Sequence, residues 1–399
     1  MFNRIILYND KKECCACGAC MNICPNNAIL MGRDEYGFLY PQIDYNVCVN
    51  CGICKKVCAY QNINGSKLPM ATYAGGAKSS SIMNSASGGI FLAMAISIIE
   101  GGGVVFGASF KLVEGILRPI HIGISNEEQI YKLQGSKYVQ SDIGFSYRKI
   151  KNLLLKGKKV LFSGTPCQVD GLKGYLNKEY DNLLLIDIIC HGVPNAQFFQ
   201  DYLVLLGKSN YGEIIDFKFR EKSKGWGLNG VAECRQKNGE YKKFVVSSRL
   251  SSFYRLFLDS EIYRDSCYSC KYASCHRAGD VTIGDYWGIK EEHPEFIDKN
   301  GGDLTLEKGI SCIIVNSEKG YAFLNDISES IFLYPSSYEK VSAHNSQLVF
   351  PSHVGKNRNK ILELYRKKGY KGVHRYFNRK VGYHRIIKFK LLNYLNNKY

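Results

Sequence analysis

No apolar run in this 399-residue sequence is long enough to cross a bilayer. The longest, Ile90 to Ile99, is closed by Glu100 and three glycines, far short of the ~20 residues of a spanning helix. The N-terminus offers only Ile5, Ile6 and Leu7 as an apolar stretch, too little for a secretory signal. The expected location is therefore the cytoplasm. Also missing are the G-x-G-x-x-G and Walker A loops: the triplet Gly101 to Gly103 precedes its predicted strand, where a Rossmann fingerprint would follow one. No nucleic-acid recognition motif accompanies the excess of basic residues, so a nucleic-acid partner is not expected. There is no internal repeat beyond one doubling among the cysteines.

Cysteine is what the chain has in quantity, sixteen in all. Cytoplasmic thiols stay reduced, so that number points to metal or redox work. Cys14, Cys17, Cys20, Cys24 and Cys48, Cys51, Cys54, Cys58 both read C-x2-C-x2-C-x3-C, the spacing of a two-cluster ferredoxin. In that pattern the fourth cysteine of each run serves the other cluster. The expected ligand sets are Cys14, Cys17, Cys20, Cys58 and Cys48, Cys51, Cys54, Cys24, each holding a [4Fe-4S] cluster. Zinc usually takes two separated pairs of ligands, and disulfides need an oxidising compartment, so both fit less well. Pro25 completes the ferredoxin pattern in the first run, whereas Ala59 breaks it in the second. Ala28 to Met31 and Phe38 to Tyr40 flank a turn at Gly37 and predict a hairpin. Cys15 is expected to be a bystander. Exposed clusters are oxygen-labile, which suggests an anaerobic host.

Charge is concentrated at one end. From Lys356 to Tyr399 there are fourteen Lys and Arg against the single Glu363, or +13 of the chain's +17. The rest is then near +4, and two clusters of about −2 each would bring it close to neutral. The stretch reads as a basic helical tail for a membrane surface or an acidic partner, with Ile386, Ile387, Phe389, Leu391, Leu392, Tyr394 and Leu395 among Arg385, Lys388 and Lys390. Those apolar residues form no single helical face, so a solvated helix fits equally well.

The segment Gln61 to Met70 reads as a linker, giving three expected units: a ferredoxin domain (1–64), a body (65–355) and the tail (356–399). In the body a helix over Gly88 to Ile99 leads to a strand Val104 to Phe110. Ile150 to Leu155 reads as a helix, and Lys159 to Phe162 and Leu183 to Ile189 as buried strands. Val231 to Arg235 and Tyr241 to Ser247 form a hairpin about Asn238-Gly239. This alternation predicts an α/β body behind an α+β ferredoxin-like domain. Cys267, Cys270 and Cys275 form a second metal signal that lacks a fourth ligand. Cys190 is the preferred candidate and Cys167 the other, each at the C-terminal end of a predicted parallel strand. A third [4Fe-4S] cluster is the leading reading, with structural zinc as the alternative. Cys234 and Cys312 lie inside predicted strands as buried small residues.

The ferredoxin pair is followed, in order, by Ser87-Gly88-Gly89, Gly135-Ser136-Lys137-Tyr138-Val139-Gln140, Gly164-Thr165-Pro166-Cys167-Gln168, Cys190-His191-Gly192, Phe219-Arg220, Gly225-Trp226 and Gly284-Asp285-Tyr286-Trp287-Gly288. This series resembles the family of coenzyme F420 hydrogenase/dehydrogenase beta subunits over roughly residues 1 to 350. The resemblance implies FAD in the α/β body beside iron-sulfur centres, and hydride exchange with a deazaflavin coenzyme. Similar proteins associated with bacterial surface polysaccharide synthesis lack that coenzyme, so the resemblance fixes the machinery better than the substrate. Ser87, Gly88 and Gly89 open a helix whose free amides could hold the FAD pyrophosphate, or they are an ordinary cap. Ser136 and Lys137 offer a hydroxyl and a cation for phosphate. Gly164, Thr165 and Gln168 sit at a strand-to-helix turn beside the cofactor. Cys167 there is a substrate-facing thiol, a cluster ligand or a buried residue, its pKa lowered by the helix N-terminus. His191 could donate a proton to flavin or acceptor. The expected activity is that of an oxidoreductase passing electrons between clusters and FAD and on to an organic hydride acceptor. The alternatives are a reductase of polysaccharide synthesis and a non-catalytic electron-transfer subunit. All three need a protein electron donor or acceptor as partner.

Overall fold

The computed structural model describes residues 4–62, 68–210, 212–223 and 225–382. The centre of the expected linker and the apolar residues from Arg385 onward lie outside them. The N-terminal part contains α1 (Ala19–Ile23), a hairpin of β1 (Ile29–Arg33) and β2 (Leu39–Ile43), and α2 (Ile53–Lys56). Its two cysteine loops repeat one backbone shape. Ala16 and Asn50 precede the second cysteine of each run in the left-handed region, and Gly18 and Gly52 follow it at φ 78 and 74. Asp34 Oδ1 accepts from the amides of Tyr36 and Phe38 and closes the predicted turn at Gly37.

The body is built on an eight-stranded sheet. In chain order its strands are β3 (Ala71–Ala77), β4 (Val104–Val113), β5 (Ile116–Ile124), β6 (Val160–Gly164), β7 (Leu183–Ile188), β11 (Val281–Asp285), β12 (Ser311–Val315) and β13 (Ile331–Ser336). Their spatial order is β13-β3-β12-β11-β7-β6-β4-β5, with β4, β6, β7 and β11 parallel at the centre. A second, antiparallel sheet holds β8 (Gly212–Lys218), β9 (Asn229–Gln236) and β10 (Tyr241–Ser247). Among the helices are α3 (Ile90–Glu100), α4 (Ser146–Leu155), α5 (Pro166–Leu176), α6 (Ala196–Ser209) and α7 (Ser252–Leu258). The central strands are apolar on both faces, as strands covered on both sides must be. Leu161, Leu184, Ile186 and Val281 pack with α3, while Val160, Phe162, Leu183 and Leu185 pack with α4 and α5.

The N-terminal part rests on α5. A Cβ at Gly171 would stand 2.7 Å from the Cys17 sulfur, and one at Gly174 would stand 2.4 Å from the Val57 carbonyl. Only glycine lets the two backbones meet this closely. The expected separate tail needs correction over its described half. A helical stretch, Arg358–Val381, kinked at Gly369, buries Ile361, Tyr365, Tyr370 and Val373 among Phe198, Tyr202 and Phe253 of α6 and α7. Leu362 packs against Phe38 and Tyr40 of the N-terminal part. The basic residues Lys367, Lys368, Lys371, Arg375 and Arg379 are exposed. This stretch is amphipathic, and its charge is the solvated face of a core element. Among the described residues no helix is long and apolar enough to cross a membrane.

Candidate functional site

The eight N-terminal thiols gather in two groups that cross between the runs. Cys14, Cys17, Cys20 and Cys58 line one small cavity and lie within electrostatic reach of one another. Cys24, Cys48, Cys51 and Cys54 line a second. The first group faces α5, whereas in the second Cys51 is exposed. Four sulfur donors apiece match iron-sulfur ligation in donor type. Arg148 of α4 donates to the carbonyls of Met21, Asn22 and Cys24 and fixes the end of α1 that carries Cys24.

A larger cavity of about 290 Å³ opens at the C-terminal edge of the parallel strands, where Gly164, Ile188 and Asp285 end β6, β7 and β11. This is where open α/β sheets build their sites. Ser87, Gly89, Ser136, Lys137, Gly164, Thr165, Cys167, Gln168, Cys190, His191, Cys267 and Cys270 all line it. Gly88 and Cys275 do not. A Cβ at Gly88 would stand 2.5 Å from the Gly75 carbonyl, so its glycine serves close packing of the segment before α3 onto β3.

Ser87 does not cap α3. Its hydroxyl donates to the Ile310 carbonyl (2.8 Å), and the cap is Gly89, which has no side-chain bond to offer. The first amides of α3 therefore have no side-chain cap, and Gly89, Ile90 and Phe91 line the cavity. Thr165 and Gln168 form a capping box at the start of α5, and Gln168 also donates to the Ser141 carbonyl (3.1 Å). Lys137 is no isolated surface cation. Its ammonium donates to the carbonyls of Lys132, Gln134 and Gly135, and burial lowers its pKa to about 7. His191 is open to the cavity, yet the surrounding protein pulls its imidazole below the ordinary range while Asp285 opposes the shift.

Cys167 has the lowered pKa expected of it, but the helix end is a minor cause. The largest is a hydrogen bond with Cys15, and Thr165 Oγ1 at 3.2 Å adds to it. Cys15 is thus not a bystander in space. It is buried, with its thiol bonded to both Cys17 and Cys167. The three-cysteine group divides: Cys267 and Cys270 join Cys190 and Cys167 within electrostatic reach, while Cys275 lies apart with its sulfur 3.6 Å from His276 Nδ1. Next to Cys275, Arg277 donates to Tyr272 O and Ile188 O through its two terminal nitrogens. Arg277 is in turn paired with the fully buried Asp187 (3.4 Å). Among the described residues no three Cys, His, Asp or Glu side chains close to single-ion distance.

One cluster of side chains had no role in the sequence reading. Arg220 grips Asp285 through two nitrogens (2.8 and 3.2 Å) and donates to Tyr138 OH (3.2 Å). Trp226 Nε1 donates to the same carboxylate (2.9 Å), and the Trp226 and Trp287 rings stack at 5.0 Å. Lys222 donates to the Ser87 carbonyl (2.7 Å). The signal was in the sequence as four separate motifs, Tyr138, Phe219-Arg220, Gly225-Trp226 and Gly284 to Gly288. Their convergence on Asp285, which lines the cavity together with Tyr138, depends on the second sheet, which no spacing encodes.

The family model for the carboxyl terminus of the coenzyme F420 hydrogenase/dehydrogenase beta subunit matches residues 157–340, and that of the 4Fe-4S dicluster domain matches residues 13–62. An uncharacterized protein of Methanocaldococcus jannaschii is 23% identical over 351 residues, covering 79% of this chain and 86% of its own. The coenzyme F420-dependent sulfite reductase of that organism is 22% identical over 322 residues, 80% of this chain but 46% of its own length. The F subunit of the F420H2 dehydrogenase of Methanosarcina mazei is 22% identical over 226 residues, 53% of this chain and 63% of its own. The chain therefore spans less than two thirds of both named relatives. In the F420-reducing [NiFe] hydrogenase complex from Methanosarcina barkeri one chain aligns at TM-score 0.45 and 14% identity, over 75% of this chain and 93% of that one. The protein is an iron-sulfur electron-transfer protein with a 4Fe-4S dicluster domain over residues 13–62, and its residues 157–340 match the carboxyl-terminal domain of coenzyme F420 hydrogenase/dehydrogenase beta subunits.

Proposed function

We propose that the chain is an iron-sulfur flavoprotein oxidoreductase. In this reading Cys14, Cys17, Cys20 and Cys58 ligate one [4Fe-4S] cluster and Cys24, Cys48, Cys51 and Cys54 a second. Cys167, Cys190, Cys267 and Cys270 hold a third at the floor of the cavity, without Cys275. FAD occupies the rest of the cavity and faces an organic hydride acceptor, a deazaflavin in the first instance. Bound there, these groups supply conversion between one-electron and two-electron steps. The chain's own residues do the positioning. The uncapped amides of α3 are donors for phosphate oxygens. Thr165 and Gln168 hold the end of α5 rigid, and His191 presents a neutral imidazole that can hydrogen-bond to the reacting edge.

The observation that carries this reading is the span of α5. Cys17 lies against Gly171, and Cys167 lines the cavity four residues earlier, about 6 Å along the helix axis. The first thiol group and the cavity are therefore neighbours within one element. Anaerobically purified protein should contain one flavin and about twelve irons per chain, or about eight without the third cluster. Protein with neither flavin nor at least eight irons would refute the reading. A Cys270→Ala variant should lose about four irons and a Cys275→Ala variant none. A second reading, a subunit that turns over only with a partner, is favoured by the 63% coverage of a dehydrogenase subunit. Under it, isolated protein is reduced by donors but shows no steady turnover with any soluble acceptor.

A further inference from the structure

Arg264 is 1% exposed and sits where the N-terminal part meets the body. Its backbone ties two cavity loops together: its amide donates to Val193 O (3.0 Å), and its carbonyl accepts from Cys267 N (3.0 Å). Its guanidinium crosses to the other side, with Nη1 donating to Cys14 O (3.3 Å), Nη2 to Leu39 O (2.6 Å) and Nε to Gln140 Oε1 (3.0 Å). The group lies 4.5 Å from the Tyr40 ring centre. Every one of these acceptors is neutral. Among the described residues no carboxylate pairs with it, and the adjacent Asp265 is taken by Arg358 (2.9 Å).

A guanidinium does not lose its proton in a protein, and a buried charge without a countercharge is costly. Besides Tyr8 and Tyr40, this charge reaches groups that belong to both sites. Arg264 Nη1 holds the carbonyl of Cys14 in the first N-terminal group, and the Arg264 carbonyl holds the amide of Cys267 at the cavity. A cubane with four thiolates carries about −2, so each site would bring the missing countercharge. We propose that Arg264 is a positioning residue shared by two iron-sulfur sites, a single buried cation that raises the reduction potential of the Cys14 cluster and of the cavity cluster together. The inference rests on the cluster assignments of the proposed function. One added electron is one added negative charge, and a fixed cation in low-dielectric surroundings stabilises it. None of the Arg264 guanidinium hydrogen bonds goes to the Cys24, Cys48, Cys51, Cys54 group, in which Cys51 is exposed, so that cluster serves as an internal control.

The test is a dithionite titration of the full chain, followed by EPR with iron counted in parallel. Arg264→Gln should keep its iron and move the midpoints of the Cys14 cluster and the cavity cluster downward, leaving the surface cluster in place. Arg264→Lys should restore most of the shift. Gln140→Glu sets a carboxylate beside Nε without removing the arginine and should lower the same two midpoints. Gln140→Met loses the same amide without adding charge and should not, which keeps the test decisive if Arg264→Gln fails to fold. Full iron with unmoved midpoints in both Arg264→Gln and Gln140→Glu overturns the inference, as does equal lowering by Gln140→Met. Wild-type protein without clusters would instead overturn the underlying assignment.

Discussion

Asp285 shows how much of the cavity wall hangs on one carboxylate. It is 14% exposed at the side chain, against 3% for Arg220, and it accepts from both Arg220 and Trp226. Asp285→Asn should destabilise the protein by roughly 3 kcal/mol, because removing one partner strands a buried charge. A drop in urea midpoint would show it, and an unchanged midpoint would contradict the pairing. His121 makes a second, pH-dependent prediction. A carbonyl can only accept, so Nε2–H donates to Ser163 O (3.2 Å) and Nδ1 accepts from Ser141 Oγ (2.9 Å). Burial lowers its pKa from 6.5 to about 4. The unfolded chain then binds the proton more readily than the folded one between those values. The contribution is complete above pH 6.5 and is lost as pH falls toward 4, by up to roughly 3 kcal/mol. His121→Gln should flatten the stability profile between pH 7 and 5, and an unchanged slope would assign the effect elsewhere.

Helix α5 is the element on which the two halves meet, and its glycines set the distance. At Gly174 a methyl would stand 2.4 Å from a backbone carbonyl, which cannot swing aside as a side chain can. Gly174→Ala should cost roughly 1–3 kcal/mol by overpacking and slow cluster-to-flavin electron transfer while iron and flavin contents stay the same. Stopped-flow traces matching wild type would show that the contact is not the route. Elements with a strong period or a buried apolar run were legible in the sequence: α3, β6, β7, the N-terminal hairpin and the β9–β10 hairpin. Those it missed have local chemistry at odds with their place. Strand β3 reads Ala-Thr-Tyr-Ala-Gly-Gly-Ala, poor in strand formers, because a side chain at Gly75 would meet the Phe332 carbonyl at 2.5 Å. Strand β5 contains Pro119, tolerated because it lies at the sheet edge. The stretch from Arg358 to Val381 hid its apolar face behind basic residues.

For the molecule as a whole, the cysteine spacing already contained the ferredoxin domain and two groups of thiols that cross between the runs. The body's thiols were less readable. Cys267 and Cys270 line the cavity with Cys190 and Cys167, while the nearby Cys275 does not, a division that no spacing shows. Cys15 and Arg264 join the two halves, and neither stands in any motif. The most direct measurement is the rate at which a reduced ferredoxin bleaches the flavin in wild type and in a Cys20→Ala variant that cannot complete the first N-terminal cluster. We expect fast bleaching in wild type and little in the variant, with flavin content equal in both. Equal rates in the two proteins would mean that electrons reach the cavity without passing the Cys14, Cys17, Cys20, Cys58 group.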